Sequence, residues 1–311
     1  MNDTRNTVSD TQILQAIIWI VISSGGVGKT YLAQTIQAIA QILGVDIHLA
    51  SQDRGNQALK HAIATASIID PKANAEDARR IVSKVQNREI FCIDVGANAA
   101  TEESDPLAFG KALNLEAASR GAKLIAVVPT APLKINGGPT ATTTAGDLLN
   151  EGISVHLVKN HQNLSREFGE MEAIDNVDTS ELPYMPTGLL AIIRGRKGSF
   201  ADPYLDPKPG FALAGNMIGN WLAEAAKMPL MFEIFGDKIT EMVLPIDLKP
   251  PQLAYTLERL SHVTDVAIAA NEQLSLAEKQ MLSAPDDDVA LAASCRKWRH
   301  AYAEYKDATR D

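Results

Sequence analysis

Residues 16–23 read AIIWIVIS, apolar and rich in β-branched side chains without polar alternation. That pattern predicts a strand buried on both faces. Residues 30–43 follow with Leu32, Ile36, Ile39 and Leu43 at helical spacing, and Gly44 stands where a C-terminal cap belongs. Apolar runs recur at 45–50, 89–95 (EIFCIDV), 123–128 (KLIAVV) and 153–158. Between them lie segments of helical pattern, most of them rich in alanine, at 56–67, 75–85, 107–119 and 140–150. Strand–helix–strand repetition of this kind predicts an α/β fold, a mostly parallel sheet flanked by helices on both faces.

The pattern also divides the chain. Residues 1–12 are almost entirely polar and are expected to be a disordered tail. Residues 13–205 carry the alternating units, and Pro203, Pro207 and Pro209 look like a hinge. Beyond them, 206–311 reads as a mainly helical C-terminal extension, with a solvated helix start at Pro285-Asp286-Asp287-Asp288.

Composition narrows the classes. Of 311 residues, 46% are hydrophobic and 22% charged, as in globular proteins. With 29 Lys+Arg against 38 Asp+Glu the net charge is -9, so any nucleic-acid contact needs a local patch rather than a broad basic face. Cys92 and Cys295 form no CxxC pair and no disulfide framework, which fits a reducing, cytoplasmic setting. The apolar stretch at 13–22 is interrupted by Gln15 and is about half the ~20 residues a membrane-spanning helix needs. Asp3 and Asp10 flank Arg5, unlike the basic start of a signal peptide. No membrane span is expected. The six histidines show no metal-ligand spacing; His156 sits in a strand pattern and is expected to be packed.

The candidate chemistry lies between the first strand and the first helix, in Ser23-Ser24-Gly25-Gly26-Val27-Gly28-Lys29-Thr30. A polyphosphate needs a wrapping of donors, and a glycine-rich loop at a helix N-terminus supplies amides, the positive helix end and a lysine. Gly25, Gly26 and Gly28 leave room for the backbone to curl. Lys29 would reach the β- and γ-phosphates, and the Thr30 hydroxyl would ligate Mg²⁺. A strict GxxxxGK[ST] loop has glycine where this chain has Ser23, and the alternative is a tight turn with a chance GKT. A GxGxxG dinucleotide loop is disfavoured because Tyr31 occupies its third glycine position.

A magnesium–nucleotide site also calls for a carboxylate at a strand end. Asp94 closes the run at 90–93 and would serve the Mg²⁺ shell, and Gly96 could offer its N–H to the γ-phosphate. Asp53, just past the second strand run, could orient the attacking water or contact Mg²⁺; each of these carboxylates has a plain turn or cap reading as the alternative. The expected site is therefore Lys29, Asp53 and Asp94 for catalysis, and Thr30, Asp53 and Asp94 for the metal. Ser24, Gly25, Gly26, Val27, Gly28, Lys29, Thr30, Tyr31, Gly96 and Asn160 are the expected nucleotide-binding set.

The loop Gly25-Gly26-Val27-Gly28-Lys29-Thr30, with Asp53 and Gly55-Asn56 after the second strand and Asp94-Val95-Gly96-Ala97-Asn98 after the third, resembles the deviant phosphate loop and switch order of ParA/MinD-type ATPases. Ile125-Ala126-Val127-Val128-Pro129-Thr130 looks like their next strand, and the likeness covers roughly residues 14–200. The DVGAN segment is especially like the accessory ATPases of conjugative plasmids. The resemblance implies ATP and Mg²⁺ as ligands, a homodimer closed around ATP, and work on plasmid DNA or a DNA-binding adaptor. It also implies base contacts from Asn160 and the loop at 182–186. One position departs: the family's second, signature lysine, which reaches the partner's nucleotide, is Ser24 here. Lys159 or the cluster at 194–197 is a possible replacement. Slow turnover is the corresponding expectation. A nucleotide-binding interaction protein with little hydrolysis, or a small-molecule kinase, are the alternatives.

Near the end, Trp298, Tyr302 and Tyr305 share one helical face among Arg296, Lys297, Arg299 and His300. That helix would either dock on the core or meet a partner, anionic lipid or DNA backbone.

Overall fold

The computed structural model describes residues 14–21, 25–53, 57–70, 72–85, 88–96, 105–134, 136–163, 165, 167–169, 171, 174–194, 197–207 and 212–242. Of these, the residues through Met185 and those from Lys197 onward form one compact unit, while 186–194 belong to a second. The proposed tail at 1–12, Ser23, Ser24, Asn98 and the aromatic segment at 298–305 lie outside the described residues.

Seven strands make one parallel sheet: β1 (Ala16–Ile20), β2 (Ile47–Gln52), β3 (Ser67–Ile68), β4 (Ile90–Val95), β5 (Lys123–Thr130), β6 (Val155–Asn160) and β7 (Asp178–Leu182). Their order is β3-β2-β4-β1-β5-β6-β7. Every pairing is parallel. The mostly parallel α/β fold expected from the apolar rhythm is the fold observed. β1 is buried at every position, because it is central and covered on both faces. Strand succession reverses on either side of it, between β4 and β5. In open parallel sheets such a switch point opens a crevice at the carboxyl ends of the strands, and ligands bind there.

The helices are α1 (Lys29–Ile42), α2 (Ala58–Ala62), α3 (Ala75–Ser83), α4 (Pro106–Ser119), α5 (Gly137–Asn150), α6 (Thr187–Arg194), α7 (Asp202–Leu205), α8 (Ala212–Ala226) and α9 (Pro229–Phe235), followed by a 3-10 turn at Gly236–Glu241. α1 packs on β2 and β4, and α3 packs beside α4. One face of the core is built around Trp19, whose ring meets Phe109 edge-on at 6.3 Å. Gly110 on α4 makes room for it, since a Cβ there would stand 2.4 Å from Trp19 Cζ3. Burial also pushes the Cys92 thiol far above its ordinary range, which leaves it an inert core residue.

Three turns that return the chain from a helix to a strand share one device. Gly44, Gly121 and Gly152 all have φ near +70°, with open space where a side chain would stand. At the first, Val45 N–H donates to Ala40 O and Gly44 N–H to Gln41 O, the paired bonds of a Schellman cap.

Several boundaries differ from the sequence pattern. β2 and β6 each run two residues past their apolar stretches, because Ser51 and Gln52, and Lys159 and Asn160, continue the backbone ladder into the site. The helix expected at 56–67 is only α2, and Ser67–Ile68 pairs instead with β2. β7 (DTSEL) carries almost no strand signal, since it is an edge strand with three of its five residues exposed. α5 begins three residues earlier than its pattern, through Gly137, Gly138 and Pro139. Proline is tolerated there because the first-turn N–H has no intrahelical acceptor.

His156 is buried, as its strand position suggested. Its Nε2 lies 2.7 Å from Ser180 Oγ and its Nδ1 3.1 Å from Glu233 Oε2, while Ser180 Oγ accepts from Leu230 N–H at 3.0 Å. The atoms follow the order of a hydrolytic triad. Ser180 and His156 are, however, each only 1% exposed, so no substrate reaches them. Their work is to clamp α9 onto β6 and β7. Ser180→Ala leaves His156 Nε2 and the Leu230 amide without that partner, and each unsatisfied buried group costs about 1–3 kcal/mol. Urea denaturation is expected to show a loss of about 2 kcal/mol or more.

Candidate functional site

The glycine-rich loop enters α1 through two left-handed residues, Gly26 at φ 70° and Gly28 at φ 85°. Gly28 is the N-terminal cap and no side chain caps the helix end, so the first-turn amides point into the loop's mouth. Glycine is required at Gly28 for a second reason. A Cβ there would stand 2.0 Å from Asn160 Nδ2 and 2.9 Å from Gln162 Nε2. Those two amides grip the loop from the end of β6: Asn160 Nδ2 donates to Val27 O at 2.9 Å and Gln162 Nε2 to Gly26 O at 2.9 Å.

Below the loop, the Thr30 hydroxyl donates to Asp94 Oδ2 at 2.7 Å. The contact spans 64 residues of sequence and joins the first turn of α1 to the end of β4. Asp94 is 4% exposed, and its Oδ1 is buried with no hydrogen-bond partner among the described residues. Burial raises its carboxyl to about 6, with the nearby Asp53 charge adding to the rise; the Thr30 hydrogen bond and the Lys29 charge oppose it. Lys29 is itself buried, which pulls its ammonium below the ordinary lysine range against the charges of Asp94 and Asp53.

A buried carboxylate oxygen without a partner among the described residues, beside a hydroxyl and near the second carboxylate of Asp53, is a donor set suited to Mg²⁺, which prefers hard oxygen ligands. Among the described residues no cluster of three or more His, Cys, Asp or Glu side chains could hold a metal by itself. Thr30 and Asp94 would therefore share the ion with ligand phosphates and water.

Asp53 follows β2 and lies against Gly96, where a Cβ would meet Asp53 Cγ at 2.3 Å. The Gly96 N–H donates to Gln52 O at 3.2 Å. It would have to exchange that bond to reach a phosphate. Asn160 spends its amide N–H on the loop, and its Oδ1 is buried without a partner among the described residues. Tyr31 sets its ring at a tilt against both Phe200 and Trp221, at 5.4 and 5.6 Å. The loop at 182–186 is fastened elsewhere, with Trp221 Nε1 donating to Pro183 O at 3.1 Å. Gly55 and Asn56, and Gly195 and Arg196 of the basic cluster, lie outside the described residues, as does Ser24.

Two residues at the site carry no motif. Gln162 was invisible because only its position two residues past β6 brings it to Gly26. Lys134, in the loop after β5, sets its Nζ 2.9 Å from where a Gly26 Cβ would stand.

The fold and the site together define a parallel α/β sheet with a glycine-rich loop between its central strand and first helix, at the switch point. No family model matches the sequence, and no curated protein matches it. Among solved structures, the chain is similar to the MinD cell division protein of Aquifex aeolicus at 18% identity, covering 68% of this chain and 95% of that one, with a TM-score of 0.39. It is also similar to the septum site-determining protein MinD of Pyrococcus horikoshii, solved with Mg-ADP, at 16% identity over 69% and 97% of the two chains, with a TM-score of 0.43. A third similarity is to the cell division protein FtsY of Thermotoga maritima, at 13% identity over 49% and 56%, with a TM-score of 0.32. Among the described residues no helix is long and apolar enough to cross a membrane.

Proposed function

We propose that the chain binds ATP with Mg²⁺ and hydrolyses it as a ParA/MinD-type ATPase, working in the cytoplasm on plasmid or DNA partition, stability or conjugative transfer. The observation that carries this reading is the Thr30–Asp94 hydrogen bond beneath a loop with two left-handed glycines and the buried Lys29. Residues from α1 and β4 have little reason to share a buried carboxylate there unless an ion and a polyphosphate are to be held.

In the mechanism, the loop amides and Lys29 bind and orient the phosphates. Thr30 and Asp94 would hold the metal, which when bound neutralises charge at the β- and γ-phosphates. Asp53, across from Gly96, orients the attacking water. Asn160 and Gln162 keep the loop in its binding shape. The unassisted rate is slow, because Ser24 stands where the resembled family has its signature lysine. A homodimer, and contact with DNA or an adaptor, complete the cycle and stimulate turnover.

Calorimetric titration of the full chain with magnesium–ATP tests the core of this reading. Saturable heat that disappears when magnesium and nucleotide are both withheld is expected. Folded protein giving no saturation would remove it.

A further inference from the structure

Lys134 is exposed, and its ammonium has no carboxylate or hydrogen-bond partner among the described residues. Even so, its Nζ lies 2.9 Å from where a Gly26 Cβ would stand, with Cε 3.6 Å from the same position. An unpaired lysine normally extends into water to keep its rotamer freedom. This one bends toward backbone that has no negative group of its own to offer.

The segment that delivers it is conformationally expensive. Leu133 at φ 60° and Asn136 at φ 56° both sit in the left-handed region on either side of Lys134. Leucine there is uncommon, and its side chain is 63% exposed, so packing does not explain it. The turn is pinned at both ends: Leu133 N–H donates to Glu167 O at 3.0 Å, and Gly137 N–H to Lys134 O at 3.0 Å. Gly137 permits the turn, since a Cβ there would meet Lys134 Cβ at 2.8 Å. Strain held by hydrogen bonds, ending in an ammonium over a phosphate loop, has the character of a preorganised ligand contact.

We propose that Lys134 is a second phosphate-binding cation of this site, supplied by the same chain from the β5–α5 loop. It would take over, within one subunit, charge that the lysine missing at Ser24 would bring from a partner. The assignment rests on the nucleotide-binding reading above. It implies that the loop closes electrostatically around the polyphosphate without requiring a second copy.

The test uses the full chain, titrated with magnesium–ATP at low and at high salt, for wild type, Lys134→Ala and Lys134→Arg. Lys134→Ala is expected to bind about tenfold more weakly at low salt, with Lys134→Arg retaining most of the affinity, because a charge-assisted contact is lost in one and kept in the other. The penalty should shrink at high salt, since an exposed ammonium is screened. Lys134→Ala binding within twofold of wild type, or a penalty equal at both salt concentrations, overturns the assignment; the second result would mark a packing role. If wild type itself binds no magnesium nucleotide, the nucleotide reading fails and this assignment with it. That outcome is distinct from a wild type that binds while Lys134→Ala binds equally well.

Discussion

Lys29→Ala is expected to abolish measurable magnesium–ATP binding while leaving a folded chain. The buried ammonium sits at the first position of α1, beside Asp94 and Asp53 and under the loop. Hydrogen bonds to charged groups are worth about 1.5–3 kcal/mol each, so losing contacts to two phosphates weakens binding by about two to four orders of magnitude. The fold does not depend on this lysine, because the sheet and the Trp19–Phe109 face stand apart from it. Calorimetry with circular dichroism as the folding control makes the measurement. Binding within threefold of wild type would show that the loop grips something other than polyphosphate.

Asp94→Asn is expected to act in opposite directions on stability and on activity. The folded carboxyl titrates at about 6 against an ordinary 3.8, so the unfolded chain loses this proton first as pH rises. Between those values the native state holds more protons than the unfolded state, and stability falls as pH increases. The penalty is absent below the lower value and complete above about 6, with a size of the order of 3 kcal/mol. Asparagine removes the titration. Without ligand, Asp94→Asn should therefore be more stable than wild type at pH 7.5 and equal to it near pH 4. Its magnesium-dependent turnover should drop by at least about a hundredfold, since a strand-end carboxylate that serves the ion is gone. Wild-type affinity for magnesium nucleotide should also weaken as pH falls below about 6, because metal binding requires the ionised carboxylate. Urea midpoints from pH 4 to 8 decide the first part: a variant less stable than wild type at pH 7.5 contradicts the burial account.

Much of this site could be read from the chain because its signals are local. A loop, a lysine and a threonine stand in one unbroken stretch after an apolar strand, and Asp94 closes another such strand. Fully buried strands announce themselves by composition. β7 does not, because an edge strand facing solvent needs no apolar run, and β3 is too short to form a pattern. The resemblance names Asn160 as a base contact, but its bond to the loop was hidden, as was Gln162 altogether, for a different reason. Asn160 and Gln162 approach through strand order, which places β6 next to β5 and turns its carboxyl end toward the same rim. Lys134 depends on a left-handed leucine that no propensity would predict. Tyr31, adjacent to the loop in sequence, directs its ring to Phe200 and Trp221 because α1 rotates it that way.

The three open glycine turns at Gly44, Gly121 and Gly152 all lie where strands begin, at the rim of the sheet opposite the ligand-facing ends. The left-handed backbone at each favours glycine, so a side chain put on the glycine itself would be strained, and fluorophores or short affinity tags belong on the residues beside them. A probe on such a neighbouring residue sits a strand length away from the candidate site at the other rim.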